Sequence, residues 1–414
     1  MTLETTLVKP EVIKPQVSRF DEFIPLYLDD FLEHYEDDDL DLVKGTKSML
    51  QLNRGNEQEK FNPILQLAKP EEAEIIVELF VQAYNGTYPY REYMDVKAVR
   101  NMIKGGLVNF ILFKDDEWNI LGCLKFVLDF EAKRGYQGGM AMYKEYLGKV
   151  DLVKAYIASC LYFWKRYKDT IVMWYGECRT AHSKVQYFTK ICGILPLAFF
   201  GNKDVFLNEL ESDLFVIGYH KQAIHKYRCH SQPILIPEAL DCFNFASERY
   251  ELGFKKLDLR ELRLKIRSLM ELHKIYKKTV EESKYGYRTV EYRFEGRDSY
   301  FRFLHTPQIQ NIENVEYSVD SLEELFICVL EFLRYAQKNN IRYIEAFVSA
   351  YEPNHQKVFN EAGMTPRGYV PSWQYNKETE KFEDCVVFNC YEGEINPDIQ
   401  LIPEGWDLLE SVHI

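Results

Sequence analysis

The 414-residue sequence has no run of about 18 consecutive apolar residues, the length a helix needs to cross a bilayer. No membrane partner is expected on that ground. Its opening residues, MTLETTLVKPEVIKPQ, carry neither a basic n-region nor an apolar h-region, so no secretory signal is expected and a cytoplasmic location is. Positive charge is in deficit, with 51 Lys and Arg against 64 Asp and Glu and a net charge of −13. Nucleic acids and anionic membrane surfaces are bound by basic faces, so neither is expected as a partner. The nine cysteines include no C-x-x-C pair and read as reduced thiols buried as small apolar groups. His220, His225, Cys229 and His230 stand close together but lack a C-x-x-C or H-E-x-x-H frame. No metal site is expected there, and a partly exposed helix or loop with scattered histidines is.

What is present is apolar and aromatic mass, 46% and 15% of the residues, enough for sizeable cores. At roughly 100–200 residues per domain, two or three domains are expected. An internal repeat organises them. IVMWYGECR from Ile171 and IRYIEAFVS from Ile341 read as buried strands 170 residues apart. Each precedes a helical stretch closed by a glycine, Gly193 and Gly363, again 170 apart; glycine just past a helix accepts the positive φ of a C-cap. Long amphipathic helices begin at Asp151 and Ser321 with the same offset, and Ser321 with Glu324 reads as a capping box. PILQL from Pro63 and PILIP from Pro233 keep it too. Four matches in register argue for a tandem duplication.

Each unit reads as strand, helix pair, strands, long helix, strand, helix, strands. That is an α/β class, a mixed and mostly antiparallel sheet flanked by helices. The expected organisation is an N-terminal helical and acidic extension over 1–59, a first unit over 60–230, a second over 231–395 and a tail over 396–414. The extension holds one helix, FDEFIPLYLDDFLEHYE, and an acidic run, EDDDLDL, that reads as a solvated face or linker.

This order, with ILGCLKF around Gly122 and the block RTAHSKVQYFTKICGILP holding Phe188 and Gly193, resembles the GNAT superfamily of acyl-CoA-dependent N-acyltransferases. The second unit repeats the block in EPNHQKVFNEAGMTPRGYV. The resemblance covers about residues 60–395 as two GNAT-like units in tandem. It implies acetyl-CoA or another acyl-CoA as co-substrate, bound through a loop between the fourth strand and the third helix. Backbone N–H groups there and at the helix start hold the pyrophosphate.

Two stretches compete for that loop. RGYQGGM, from Arg134, has the composition of a phosphate cradle; YLGKVD, from Tyr146, has only Gly148 and Lys149. The resemblance implies that a strand, a turn and a second strand separate the loop from Gly122, and a strand of about ten residues spans about 33 Å. Gly135 lies 13 residues past Gly122 and Gly148 lies 26 past it, directly before the repeated helix. The cofactor contacts are therefore expected at Tyr146, Leu147, Gly148, Lys149, Val150 and Asp151, with 134–139 as a hairpin turn; Asp151 repels an anion unless it caps the helix. The resemblance adds His182 beside the coenzyme arm. In the second unit VEYSVDSLEE has no glycine and four acids, so no coenzyme is expected there.

Acyl transfer to an amine needs a polarised thioester, a deprotonated amine and a protonated leaving thiolate. The resemblance implies a fourth-strand bulge for the first, expected at 143–147, and a strand carboxylate for the second. Glu145 and Glu177 are the candidates, since a charge inside an apolar strand is paired or functional, unless either faces solvent at a strand end. The family's tyrosine acid is replaced by Thr189 and Phe359. YNGTYPYREYMD offers Tyr88, Tyr90, Arg91, Glu92 and Tyr93 as an acceptor wall for a small amine or amino-acid-like molecule; a packed helix connection explains it equally. The expected function is N-acyl transfer, with a non-catalytic binding or assembly protein as the alternative and a homodimer left open. A tRNA-dependent transferase is disfavoured by the acidic charge.

Overall fold

The computed structural model describes residues 23–35, 37, 40–52 and 60–414. The expected extension falls partly outside them, at 1–22, 36, 38–39 and 53–59. It contributes α1 (Leu28–His34) and β1 (Thr46–Lys47). The first unit runs β2 (Ile64–Leu67), α2 (Ala73–Ala83), α3 (Val96–Gly105), β3 (Val108–Lys114), β4 (Ile120–Asp129), β5 (Arg134–Met142), α4 (Leu152–Tyr167), β6 (Met173–Arg179), α5 (Lys184–Ile191), β7 (Leu195–Phe206) and β8 (Glu209–Tyr219). A connector holds α6 (Lys221–His225), β9 (Ile234–Leu235), α7 (Leu240–Tyr250), β10 (Lys256–Leu257) and α8 (Ile266–Ile275). The second unit runs β11 (Tyr276–Glu282), β12 (Arg288–Phe294), β13 (Tyr300–Thr306), β14 (Asn311–Ser318), α9 (Leu322–Lys338), β15 (Tyr343–Ser349), α10 (Pro353–Glu361), β16 (Thr365–Asn376) and β17 (Lys381–Tyr391), and α11 (Pro403–Ser411) follows.

Among the described residues fifteen strands make one sheet, in the order β1-β2-β3-β4-β5-β6-β8-β7-β16-β17-β15-β14-β13-β12-β11. All neighbours are antiparallel except β5–β6 and β14–β15. Parallel neighbours need a crossover, which the long helices α4 and α9 supply. In both cases the pairing is short. β5 meets β6 only at Arg134, Gly135 and Tyr136, and β14 meets β15 only at Asn311 and Ile312.

Around β3 both faces of the sheet are covered. Along β3, Ile111 and Phe113 enter the large core shared by both units, while Phe110 and Leu112 enter a second core under α2 and α3. That alternation is the period of two that a strand imposes. α1 seats Phe31 on Trp164, with ring centroids 4.9 Å apart. The acidic run is not merely a solvated face, because Asp37 is buried and accepts from Ser48 Oγ at 2.6 Å.

The units join through a local twofold. β7 and β16 pair at Ala198 and Gly368, positions 170 apart in the repeat. A Cβ on Gly368 would lie 2.3 Å from the Ala198 Cβ, so only glycine lets the strands meet. Three residues on, each strand carries the same irregularity. Gly201, Asn202 and Lys203 bulge against Ser212, and Pro371, Ser372 and Trp373 bulge against Asp384. Asn202 and Ser372 both adopt φ of 52°.

The 170-residue offset holds from the long helices through β7 and β16 but not before them, and β8 and β17 start 172 apart. By sheet position β4 matches β13 and β3 matches β12, and their starts are 180 apart. The first strand of the second unit is β11, not PILIP: β9 pairs only with β10, outside the main sheet. The second unit has no helix pair between its first two strands; a tight turn at 283–287 joins β11 directly to β12. A short apolar run flanked by prolines marks a strand without saying which sheet receives it.

The stretch 134–139 is strand, not a turn; the turn occupies 130–133. Its glycines serve close packing. A Cβ on Gly135 would lie 2.3 Å from the Trp174 ring, and one on Gly138 2.6 Å from Tyr136 Oη. Among the described residues no helix is long and apolar enough to cross a membrane.

Candidate active site

The fourth-strand bulge lies inside β5 rather than at 143–147. Cys123 faces Ala141 while Lys125 faces Gly138, so Gly139 and Met140 together oppose Leu124. Gly139 takes φ of 61°. Beyond Met142 the chain leaves the sheet, and Lys144–Tyr146 form a 3-10 turn. Glu145 sits exposed on that turn, not in a strand as expected.

Above the bulge the rings of Tyr84, Tyr88, Tyr90 and Tyr93 gather around Phe80 and Phe206. Tyr88 is the hub, 4.6 Å from Tyr84, 4.9 Å from Phe80, 5.8 Å from Tyr90 and 5.9 Å from Tyr93. Lys125 Nζ lies 4.0 Å from the Tyr93 ring centre and 5.1 Å from that of Tyr136. Tyr84 Oη donates to the Met140 carbonyl at 3.4 Å, joining the ring cluster to the bulge. Burial pushes the Tyr84 hydroxyl up to about 12 and raises those of Tyr88, Tyr90 and Tyr136 well above the ordinary tyrosine range.

Beside the rings lies a buried charge cluster. Glu177 on β6 pairs with Lys203 Nζ at 2.8 Å, and the same ammonium meets Glu345 at 3.1 Å and Glu313 at 3.7 Å, both from the second unit. Burial disfavours the ammonium, but the carboxylates of Glu177, Glu345 and Glu313 outweigh this and hold it protonated well above the usual lysine range. Burial pushes Glu313 up to about 8 and Asp204 up to about 7, against the pull of Lys203. Asp213 is also raised well above the carboxylate range, by burial and then by Asp204 and Glu177. Asp204 Oδ1 and Asp213 Oδ2 have no hydrogen-bond partner. The pairings Arg179–Asp213, Glu177–Phe215 and Asp204–Glu211 put these carboxylates on one face. Arg179 there makes a two-point bond to Glu211, its Nε at 2.7 Å.

The second unit also grips the expected acceptor segment from outside. Tyr287 Oη donates to Glu92 Oε2 at 2.6 Å and accepts from the Arg91 N–H at 2.7 Å. Lys284 Nζ and Tyr285 Oη reach Asp95 Oδ2 at 2.7 and 2.9 Å. Arg91 itself is exposed.

The loop 146–151 lies where expected, between β5 and α4, but its helix start is already occupied. Asp151 caps α4 by accepting from Lys154 N at 3.0 Å. Its own N–H donates to Phe61 O at 2.7 Å, and Phe61 N donates to Lys149 O at 2.9 Å. Leu152 N is turned back onto Val150 O. Val150 is buried with Leu121 and Met142. Gly148, with φ of 79° and open space around it, and exposed Lys149 remain accessible. These residues do not fit a pyrophosphate at the helix start as they stand. His182, ahead of α5, has a half-buried ring whose pKa is lowered by burial, and its Nδ1 has no partner. Thr189 is buried and donates to Gln186 O at 2.8 Å. In the second unit Glu324 occupies the start of α9, accepting from Ser299 Oγ at 2.7 Å and Asp320 N at 2.8 Å. Among the described residues no group of His, Cys, Asp and Glu is placed to hold a metal ion.

The structure thus brings Tyr88, Tyr90, Tyr93 and Glu177 together and leaves Glu145 and 146–151 apart from them. Lys203, Asp204, Asp213, Glu313 and Glu345 were not among the sequence candidates. For Lys203 and Asp204 a signal was present: FGNKDVF puts two charges and a glycine inside an apolar strand.

No family model matches the chain, and no curated protein matches it by sequence. Several solved acetyltransferases align with it in structure. A ribosomal-protein-S5-alanine acetyltransferase from Vibrio fischeri aligns over 40% of this chain and 96% of its own, at 14% identity and TM-score 0.32. A spermidine N-acetyltransferase from Vibrio cholerae aligns over 39% and 98%, at 9% identity and TM-score 0.33. A ribosomal L7/L12 alpha-N-protein acetyltransferase solved with coenzyme A aligns over 38% and 93%, at 11% identity and TM-score 0.32. Each unit has the mixed sheet and long crossover helix implied by the GNAT resemblance; the strand order, rather than these identities, carries that statement.

Proposed function

We propose that the chain is an acyl-CoA-dependent N-acyltransferase, with acetyl-CoA the expected donor, whose first unit works on a small cationic amine. The carrying observation is the pair of buried, unpartnered carboxyl oxygens on Asp204 and Asp213 beside the tyrosine cluster and the β5 bulge. Buried polar atoms without partners are rare, and a cation between aromatic walls satisfies both groups. Asp204, pushed up to about 7, is matched to take a proton from an amine near neutral pH. Glu177, fixed by Lys203, holds the local charge rather than moving a proton. Backbone N–H groups at Gly139 and Met140 are the candidates to polarise a thioester carbonyl. The donor supplies the activated acyl group; no phosphate contact is assigned to the start of α4. The cluster is closed, so the acceptor enters when the loop 84–95 lifts. The second unit acts as a brace that binds no coenzyme.

A non-catalytic binding protein is the second reading, and the capped, Phe61-covered start of α4 favours it. Calorimetry separates the two. Acetyl-CoA binding by the wild type, with amine-dependent thiol release that falls at least about tenfold in Asp213→Asn, supports the enzyme. Absence of acetyl-CoA binding sinks the enzyme reading, and absence of amine binding sinks both. Unchanged coenzyme binding by Gly148→Asp removes the loop 146–151 from the donor site.

A further inference from the structure

The sheet ends at β11, whose only neighbour among the described residues is β12. An end strand presents a row of unpaired N–H and C=O groups, a template for another strand. β11 is open on its faces as well as its edge. Lys277 to Glu282 are all exposed, Val280 by 48%. The helix that runs into it, α8, leaves Ile266 and Met270 exposed by 74% and 64%. Lysines on an edge ordinarily discourage pairing. Here each lysine is followed four residues later by a glutamate, in the sequence YKKTVEE.

We propose that the protein forms a twofold homodimer in solution by antiparallel pairing of β11 with β11 of a second copy, centred on Thr279. A twofold normal to a sheet keeps each face on its own side, so directly opposed residues share a face. Centring on Thr279 sets Lys277 opposite Glu281 of the partner subunit, and Glu281 opposite Lys277 of the partner subunit. Lys278 then opposes Val280 of the partner subunit. Within the chain Lys277 stands directly across from Arg293, a like charge that costs stability. A carboxylate on its other side relieves this. Glu281 stands across from Thr289 and makes no ion pair among the described residues, so it is available. The ion pair of Lys277 with Glu295, at 3.2 Å and mostly exposed, competes weakly. Centring on Val280 would oppose Lys278 and Glu282, but those groups are engaged. Lys278 Nζ lies 4.2 Å from the Tyr335 ring centre, and Glu282 is bonded by Arg288 at 2.9 Å. The charges therefore select one register.

The test is solution mass by light scattering over a dilution series of the full chain, of 49.1 kDa per copy. A dimer is expected. Lys277→Glu or Glu281→Lys alone puts like charges face to face twice and weakens the dimer roughly tenfold. The double variant restores it, because opposite charges face again. Val280→Pro removes an N–H that faces the open edge and disfavours pairing, with a thermal melt to show that the chain remains folded. A wild type that stays monomeric at the highest concentration overturns the proposal. So does a dimer indifferent to the single variants, or one the double variant fails to restore. A monomer that instead captures a foreign strand along β11 also overturns it.

Discussion

The two bulges at the unit junction are one backbone device filled in two ways. In the first unit the bulge aims Lys203 at Glu177 of its own unit and at Glu313 and Glu345 of the other. In the second unit the residue 170 positions on is Trp373. It stacks on Phe347 of its own unit at 4.9 Å and meets Tyr175 of the other at 5.1 Å, with the Arg134 guanidinium 4.2 Å from its ring. Phe347 takes the place of Glu177, and Tyr175 that of Glu345, at the same offset. A buried ion cluster is often no more stable than a well-packed apolar one of the same size. Trp373 demonstrates that an apolar filling suits this geometry. Stability alone therefore does not explain the ions, and they stand beside the tyrosine cluster proposed to receive the amine.

That contrast can be broken from either side. Lys203→Met leaves buried Glu313 and Glu345 and partly buried Glu177 without their cation, and about 3–5 kcal/mol of stability is expected to go. Urea unfolding checks it, and the loss should be smaller at about pH 5 than at about pH 8, because the acidic groups can take up protons. Trp373→Ala opens a cavity and should cost about 3 kcal/mol, with almost the same value at both pH extremes. A strong pH dependence for Trp373→Ala would erase the distinction. Asp204→Asn sharpens the ionic side. The folded state holds that proton up to about 7 and the unfolded state loses it near 3.8, so wild-type stability falls as pH rises between those values. The asparagine variant should lose that part of the fall, read from unfolding free energies across the range. Arg134→Leu removes the cation from the Trp373 ring and is expected to cost about 1 kcal/mol, seen as a small shift in the urea midpoint.

Parts of this were legible in the chain. The long helices, β6 and β15, and Gly193 and Gly363 keep the 170-residue period because each is a local pattern of apolar spacing and capping. Ser321 caps α9 as its sequence implies, although the Glu324 side chain turns to Asp320 N and Ser299 rather than back to Ser321. Glycine-rich 134–139 misled, because glycine serves a close ring-to-strand contact as readily as a turn, and nothing local separates the two. PILIP misled because a strand pattern does not name its sheet. The tyrosines at 88, 90 and 93 were visible as a group, whereas Asp204 and Asp213 acquire meaning only when two hairpins and a foreign unit close over them.

Sequence by itself determined the 170-residue period, the class of fold and the position of the loop before α4, since these follow from periodicity, caps and chain length between elements. Tertiary structure decided that the two units share one sheet across Ala198 and Gly368. It decided that the start of α4 is filled by Asp151 and Phe61, and that Lys203 meets acids while Trp373 meets rings. Those outcomes depend on contacts between residues far apart in the chain, 90 positions for Phe61 and Asp151, 142 for Lys203 and Glu345 and 170 for Ala198 and Gly368, whose energies are set by burial and by which unit supplies the partner.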